Sequence, residues 1–413
     1  MRRWAGCAAA LGVFAAAGAL AQPAACARFT EAIDAVVSRD GYLGAVAYAV
    51  QRGQPVVTLV AGWRDLARRD AMQTDAIFRL YSMTKPMVSA VAMRLVEQGR
   101  LELDAPVARW LPAYASLQVM EADGRLRAPL RPLTVRHLLT HQGGFAVDAA
   151  SPKAVRERLE HAEPWKAADL AGYADRVAQA PLATDPGTRH AYDGVHTEVL
   201  SRVLEVASGL PMARLMSEQM LEPLRLRDTG FEVPAARRAR VVDLTSRRRG
   251  AERAGEAGGL AIAGTRSAQE PGASLNAYAS GAGGLYGTAA DYGRFCTALA
   301  AGPWLSERSR TEMYTNQLPG PLPGRPGEGY GFGGAVGLGG ADDPPPARAG
   351  LYGWTGAAST YFVLDVPRQR CMMLLMQHLH DDAPGDLPKI WPRLRPLLMH
   401  AAAEATAEAP CRR

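Results

Sequence analysis

The chain has 413 residues, 48% hydrophobic and 21% charged, with 47 Lys+Arg against 41 Asp+Glu and a net charge of +6. These proportions exclude a mostly disordered chain and a collagen-like repeat, and the length suffices for about two or three domain-sized units. The basic excess is small and no Lys/Arg run exceeds Arg247-Arg248-Arg249, which argues against a nucleic-acid partner, since that needs a concentrated basic stripe.

The first residues read as an export signal. Arg2 and Arg3 precede the small-apolar stretch Ala8 to Leu20, and Ala19-Leu20-Ala21 offers an A-x-A cleavage site. A second candidate cut follows Ala25-Cys26-Ala27. The run is short for a membrane crossing, so residues 1–21 are predicted to be a signal peptide and the mature chain exported, to periplasm or medium, without stable membrane insertion. Cys7 leaves with the signal. Cys26 and Cys411 lie near the two ends, which often meet in space, and are a candidate pair whose bridging the sequence leaves open. Cys296 and Cys371 sit in apolar stretches and are expected as buried thiols. No C-x-x-C spacing exists, so a thiolate zinc site is not expected.

Phe29, Ile33, Val36 and Val37 recur at helical spacing, predicting a helix over 28–39. Gly44 to Val50 and Pro55 to Ala61 read as strands around Arg52-Gly53-Gln54. The middle of the chain is helical: Ser82 to Gln98, Thr134 to Thr140 with Thr134 as N-cap, Thr197 to Ala207, and Met212 to Leu221. Residues 234–272 are rich in Arg, Ala and Gly and are read as a long exposed connection, a candidate flap over a site. Tyr330 to Val336 reads as a short strand, Ser359 to Val366 and Cys371 to Met376 as two more, and 387–404 as a closing helix. The low-complexity tail Ala401 to Ala409 is expected to fray. The predicted fold class is α+β: an antiparallel sheet built from both chain ends (22–80 and 275–413), flanked by terminal helices, with a mainly helical region (81–274) inserted.

Only four lysines occur, at 85, 153, 166 and 389. One of them closes the tetrad Ser82-Met83-Thr84-Lys85. Ser and Lys three apart share a helix face. A serine hydroxyl needs a neighbouring base to become a nucleophile, and a buried lysine can be that base. S-x-x-K alone is a weak signal, because a helix N-cap serine beside a solvated lysine has the same spacing.

The surroundings are more specific. Leu103-Asp104-Ala105-Pro106-Val107 and Leu138-Leu139-Thr140-His141-Gln142-Gly143-Gly144 accompany the tetrad. With these segments the chain resembles the serine beta-lactamase-like superfamily, from about residue 30 to 395. That superfamily includes class C beta-lactamases, D-Ala-D-Ala carboxypeptidases and family VIII carboxylesterases, and the resemblance implies a beta-lactamase/transpeptidase-like fold. Its second element, Tyr-x-Asn, is matched by Tyr192-Asp193-Gly194, so the Tyr is kept and the Asn is not. Its third, Lys-Thr-Gly, is matched by Trp354-Thr355-Gly356, so the Lys is absent. Gly353-Trp354-Thr355-Gly356-Ala357-Ala358-Ser359-Thr360-Tyr361-Phe362 is similar to a pattern of the family VIII esterases. Ser280 to Tyr292 matches the family's glycine-rich segment.

The resemblance implies that Ser82 is the nucleophile and that Lys85 and Tyr192 are the general base and acid. It implies an oxyanion hole from the backbone N–H groups of Ser82 and Ala357. Trp354, Thr355, Gly356 and Asp193 become substrate-binding candidates. Loss of the Lys and the Asn removes polar recognition of a lactam or D-Ala-D-Ala carboxylate, and Trp354 presents an apolar wall instead. The expected reaction is hydrolysis of a small neutral carboxylic ester without cofactor or metal. The alternatives are a beta-lactamase or DD-peptidase in which Arg189 or Arg348 replaces the missing Lys, an acyltransferase, and a non-catalytic binding scaffold. The G-x-S-x-G elbow of α/β-hydrolases and the phosphate loop G-x-x-x-x-G-K-[ST] are both missing. His137 with His141 on a helix, and His378 with His380 followed by Asp381 and Asp382, are weak metal candidates. The first pair lies in a structural signature, and the second reads as a solvated strand end.

Overall fold

The computed structural model describes residues 23–247, 259–340, 342–381 and 385–413. The predicted signal peptide, Arg248, Arg249 and Asp382 lie outside the described residues. Helix α1 (Ala24–Ser38) buries Phe29, Ile33 and Val36 along one stripe. Strands β1 (Gly44–Gln51) and β2 (Gln54–Gly62) follow as a hairpin. Its turn residues Arg52 and Gly53 both adopt positive φ, 49° and 81°.

After the helical excursion the chain returns as β3 (Glu328–Tyr330), β4 (Ala335–Gly337), β5 (Leu351–Gly356), β6 (Thr360–Asp365), β7 (Arg370–Leu375), helix α6 (Trp391–Glu404) and β8 (Cys411–Arg412). The eight strands form one sheet in the order β8-β2-β1-β7-β6-β5-β4-β3. Every pairing is antiparallel except that of β8 on β2. The central contact, β1 on β7, joins the two ends of the chain, with Val46 opposite Leu375 and Gln51 opposite Arg370.

Strand period sorts the side chains between two cores. Ala45, Ala47, Ala49, Val363, Met372 and Leu374 pack under α1 and α6, and the row of alanines lets those helices lie close. Val46, Val50, Phe362, Leu364, Met373 and Leu375 face the larger core on the other side. A sheet buried on both faces reads as continuous apolar sequence, which is why Cys371 to Met376 shows no alternation. The second core is shared with α2 (Thr84–Glu97), α3 (Val135–Leu139), α4 (Val195–Ser208) and α5 (Ala289–Ala300), and α5 lies across β1 and β7. No helix among the described residues is long and apolar enough to cross a membrane.

Several expectations need correction. The 330–336 stretch is not one strand; it is the turn of the β3–β4 hairpin, with Tyr330 opposite Ala335. The first part of the 401–409 tail does not fray, for helix α6 continues to Glu404 with Ala401 and Ala402 buried, and beyond the tail Cys411 is buried and pairs with Val57. Met212 to Leu221 is α-helical only to Met216 and then widens into a π turn. The connection 234–272 is exposed as expected over most of 234–239 but packed further on: Leu244, Ala263 and Ala268 form a small core with Ala358, and Thr245–Arg247 pairs with both Leu260–Ile262 and His378–Leu379. The Cys26–Cys411 bridge, left open by the sequence, is present. Cys296 and Cys371 are not free thiols but a second disulfide, because α5 lies over β7 and brings their Cα atoms to 6.0 Å.

Candidate active site

Ser82 does not sit within the long helix. It lies in a single 3-10 turn, Tyr81–Met83, and α2 starts at Thr84. Tyr81 holds φ at 46°, a left-handed conformation that costs a non-glycine residue energy and marks functional turns. The turn is pinned from one side by the glycine-rich segment. Leu80 N donates to Leu285 O (2.8 Å), Leu285 N donates to Thr84 Oγ1 (3.2 Å), and Tyr292 Oη donates to Met83 O (3.1 Å).

Lys85 stands at the first turn of α2 and is only 3% exposed. Its Nζ reaches Ser82 Oγ at 3.1 Å and donates to Ala282 O at 2.7 Å. No carboxylate lies within salt-bridge distance of it among the described residues; the lysine ion pairs there are those of Lys153 and Lys166. Gly281 precedes that carbonyl, and a Cβ there would meet Ser201 Oγ at 2.0 Å. Only glycine lets the segment lie close enough to offer Ala282 O.

Tyr192 comes from the loop before α4. Its ring centroid is 5.0 Å from Lys85 Nζ, and its hydroxyl accepts a hydrogen bond from Trp354 Nε1 at 2.9 Å. Trp354 on β5 is therefore more than an apolar wall, because its N–H holds the tyrosine oxygen. The Tyr192 and Trp354 rings lie 4.9 Å apart, and Tyr330 meets the indole edge-on at 5.1 Å. Thr355 and Gly356 continue β5 to the cavity rim, and Ala357 follows. A Cβ on Gly356 would stand 2.3 Å from Leu80 O. The missing side chain thus seats the hairpin tip on the residues leading to Ser82, where Thr360 Oγ1 also donates to Leu80 O (3.2 Å). Ser82, Tyr192, Trp354, Thr355, Gly356 and Ala357 all line one cavity of about 760 Å³.

Asp193 is placed elsewhere. The expectation that it meets substrate fails because its side chain turns inward, away from that cavity. It accepts from Val195 N (3.0 Å), caps the start of α4 and lies 2.5 Å from His196 Nδ1. His196 Nε2 in turn accepts from Gly143 N (3.0 Å). Burial alone raises the Asp193 carboxyl, but His196 and His141 outweigh it and hold the group well below the usual carboxylate range. Burial pushes the His141 imidazole down to about 3. An ionised aspartate between histidines thus anchors the loop that carries Tyr192.

The sequence reading missed Glu198. It falls on the apolar stripe of α4 beside Val195 and Val199, and an acid there was the available signal. It is buried, accepts from Ser280 Oγ, and its Oε2 has no hydrogen-bond partner. Burial pushes its carboxyl up to about 7, while Ser280 and the charge of Lys85 pull it back.

The cations also differ from expectation. Arg189 is bonded to Asp148 (2.6 Å) and Ser151 (2.9 Å), and Arg348 to Asp365 (3.2 Å). Neither lines the cavity; Arg325 and Lys389 do, with the Arg325 guanidinium 5.7 Å from the Trp354 ring centre. His137 completes a capping box with Thr134 at the start of α3, and His141 lies beyond the end of that helix, so they share no helical face. His378 and His380 are not a solvated strand end: His378 is 1% exposed and both meet Asp386.

Comparison with known proteins shows the family and the fold. The family model described as Beta-lactamase matches residues 29–394. Esterase EstB of Burkholderia gladioli is 30% identical over 377 residues, covering 87% of this chain and 92% of the esterase. Two solved structures share the fold. EstCE1, a hydrolase with promiscuous acyltransferase activity, superposes with a TM-score of 0.72 at 24% identity, over 92% of this chain and 98% of its own. The simvastatin synthase LovD of Aspergillus terreus does so at 0.74 and 22% identity, over 91% and 97%. The chain belongs to the beta-lactamase family of serine hydrolases.

Proposed function

We propose that this protein hydrolyses small neutral carboxylic esters through an acyl-enzyme on Ser82. The observation that carries the reading is Trp354. It occupies the place of the family's substrate-facing lysine and spends its indole N–H on Tyr192 Oη. The wall of the cavity at that point is aromatic, and its polar atom is committed to the protein.

In this reading Lys85 Nζ accepts the Ser82 proton across 3.1 Å while Oγ attacks the ester carbonyl. Tyr192, held by Trp354 and stacked over Lys85, relays that proton to the departing alcohol. The amides of Ser82 and Ala357 are the proposed donors to the oxyanion. Water then takes the place of the alcohol and reverses the same steps. Transfer of the acyl group to an alcohol in place of water is the second reading, favoured by the fold shared with EstCE1. Export accompanies the proposal, supported by the Arg2-Arg3 start, the apolar stretch behind it and two disulfides.

The test is intact-protein mass spectrometry after brief exposure to a fluorophosphonate, beside initial rates on p-nitrophenyl butyrate and nitrocefin. A single adduct that disappears in Ser82→Ala is expected. Ester turnover should fall at least about a thousandfold in that variant. Fast nitrocefin turnover would reassign the enzyme as a lactamase, and absence of both adduct and turnover would leave an inert scaffold.

A further inference from the structure

We propose that His378, His380 and Asp386 form a binding site for a divalent transition-metal cation, with zinc the best chemical match. The three residues lie behind the catalytic cavity. His378 belongs to the short strand His378–Leu379, His380 lines the cavity, and Asp386 stands on the segment leading to α6.

The geometry brings three ligand atoms together, and one tautomer of the two histidines leaves them open to a metal. Thr245 Oγ1 donates its one hydrogen to Gln377 O (2.9 Å), and the same oxygen lies 3.1 Å from His378 Nδ1. Tyr42 Oη donates to Pro388 O (2.8 Å), and Ser359 Oγ donates to His378 O (3.1 Å). Both of those hydroxyl oxygens lie near His380 Nε2, at 3.2 and 3.0 Å. In the tautomer in which each hydroxyl hydrogen goes to its carbonyl, His378 Nδ1 and His380 Nε2 are the N–H donors. The other nitrogen of each neutral ring is then a lone pair. His378 Nε2 points at Asp386 Oδ1 (2.8 Å) and His380 Nδ1 at Asp386 Oδ2 (3.4 Å).

The carboxylate is already oriented by two amides, Leu387 N on Oδ1 (2.7 Å) and Asp381 N on Oδ2 (2.9 Å). Two imidazole lone pairs and a carboxylate therefore converge, with ligand atoms all within 4.8 Å of one another. Without a cation the opposite tautomer lets His378 Nε2 donate to Asp386 Oδ1 at 2.8 Å; a bound cation takes the place of that hydrogen and selects the tautomer above. Two nitrogens and one oxygen are a ligand set that zinc takes at about 2.0–2.2 Å, with a fourth position left to water. The outer hydrogen bonds to Thr245, Tyr42 and Ser359 are the second layer that fixes the tautomer of metal-binding histidines.

The other histidine–carboxylate cluster gives the contrast. His196 spends Nε2 on Gly143 N–H and Nδ1–H on Asp193, so it has no lone pair to offer a metal. The 378–386 site reaches beyond ester chemistry. A metal there ties the wall strand to the segment before α6 and fixes His380, whose partner Ser359 lies two residues past Ala357.

The test strips the full chain with EDTA and titrates Zn²⁺ against a chromophoric chelator. Co²⁺ is then added to read visible d–d bands. One equivalent bound per chain is expected, with affinity falling about tenfold or more in both His380→Ala and Asp386→Asn. Circular dichroism checks that each variant folds. His380 is at the cavity edge, so its loss leaves the core intact. No saturable binding by the wild-type chain overturns the proposal, as does binding unchanged in both variants. It is equally overturned if ¹⁵N spectra show both imidazoles doubly protonated and metal-free at neutral pH with Zn²⁺ present.

Discussion

Glu198→Gln is the most informative single substitution. The carboxyl is enclosed between α4 and the glycine-rich segment, and burial moves it from 4.5 to about 7. At 1.36 kcal/mol per tenfold change in acidity, that displacement corresponds to about 3 kcal/mol. The unfolded chain holds this proton only below 4.5, whereas the folded chain holds it up to about 7. Between those values the folded state binds more protons, so raising the pH removes stability. The contribution is full below 4.5 and is lost as pH rises through 7. Glutamine keeps an oxygen for Ser280 Oγ to donate to and has no charge to bury. Urea unfolding of both proteins at about pH 5 and about pH 8.5 should therefore show the wild type losing about 3 kcal/mol relative to the variant. Other titrating groups, His141 included, are common to both and cancel in the difference. Parallel pH curves would falsify the reasoning, because they would mean that water or a rearranged Lys85 neutralises the carboxylate at no cost.

Other substitutions probe the neighbouring contacts. Trp354→Phe keeps the aromatic wall and deletes the N–H on Tyr192. It should lower kcat/KM for p-nitrophenyl butyrate by about five- to tenfold, the equivalent of one hydrogen bond, mainly through kcat; a change confined to KM would show the indole to be only a wall. Gly281→Ala drives a methyl group into Ser201 Oγ and should cost about 1–3 kcal/mol in thermal unfolding together with most activity, as Ala282 O leaves Lys85. Adding Ser201→Ala should restore part of both, and a double variant no better than the single one would place the damage elsewhere. Removing the Cys26–Cys411 bridge with two serines should destabilise the chain by roughly 5 kcal/mol in urea, the upper end for disulfides, because the closed loop is so long. A loss below about 1 kcal/mol would mean that β8 and α1 hold the ends together without the bridge.

Much of this architecture was legible because the relevant signals are local. The apolar runs of β1, β2, β6 and β7 and the stripe of α1 follow from period and turn residues. Ser82, Lys85 and Tyr192 were singled out through motifs, and the structure brings the three together. What escaped depends on contacts distant in sequence. Cys296 and Cys371 look like two thiols in apolar stretches until α5 is laid over β7. Asp193 sits beside Tyr192 in sequence, yet two histidines from other turns draw it away from the cavity. The hydrogen bond from Trp354 to Tyr192 joins residues 162 apart, so sequence could give the indole its size but not its donor role. Arg325 lay in a stretch dense in Gly and Pro with no periodicity to aim it, whereas Arg189 and Arg348 looked better placed and proved to be committed to carboxylates.

The covalent link between Cys26 and Cys411 also sets how the molecule carries mechanical load. β8 runs parallel to β2 at the sheet edge, and two residues of pairing alone would peel away in sequence like a zipper. With the bridge closed, a pull applied outside residues 26 and 411 passes through a single sulfur–sulfur bond, and the chain between them bears no tension. Strand β5, which carries Trp354, is five strands from that edge, about 24 Å at ordinary strand spacing. Strain at the ends is therefore short-circuited before it reaches the candidate cavity, and only under reducing conditions would the same pull be transmitted through the sheet.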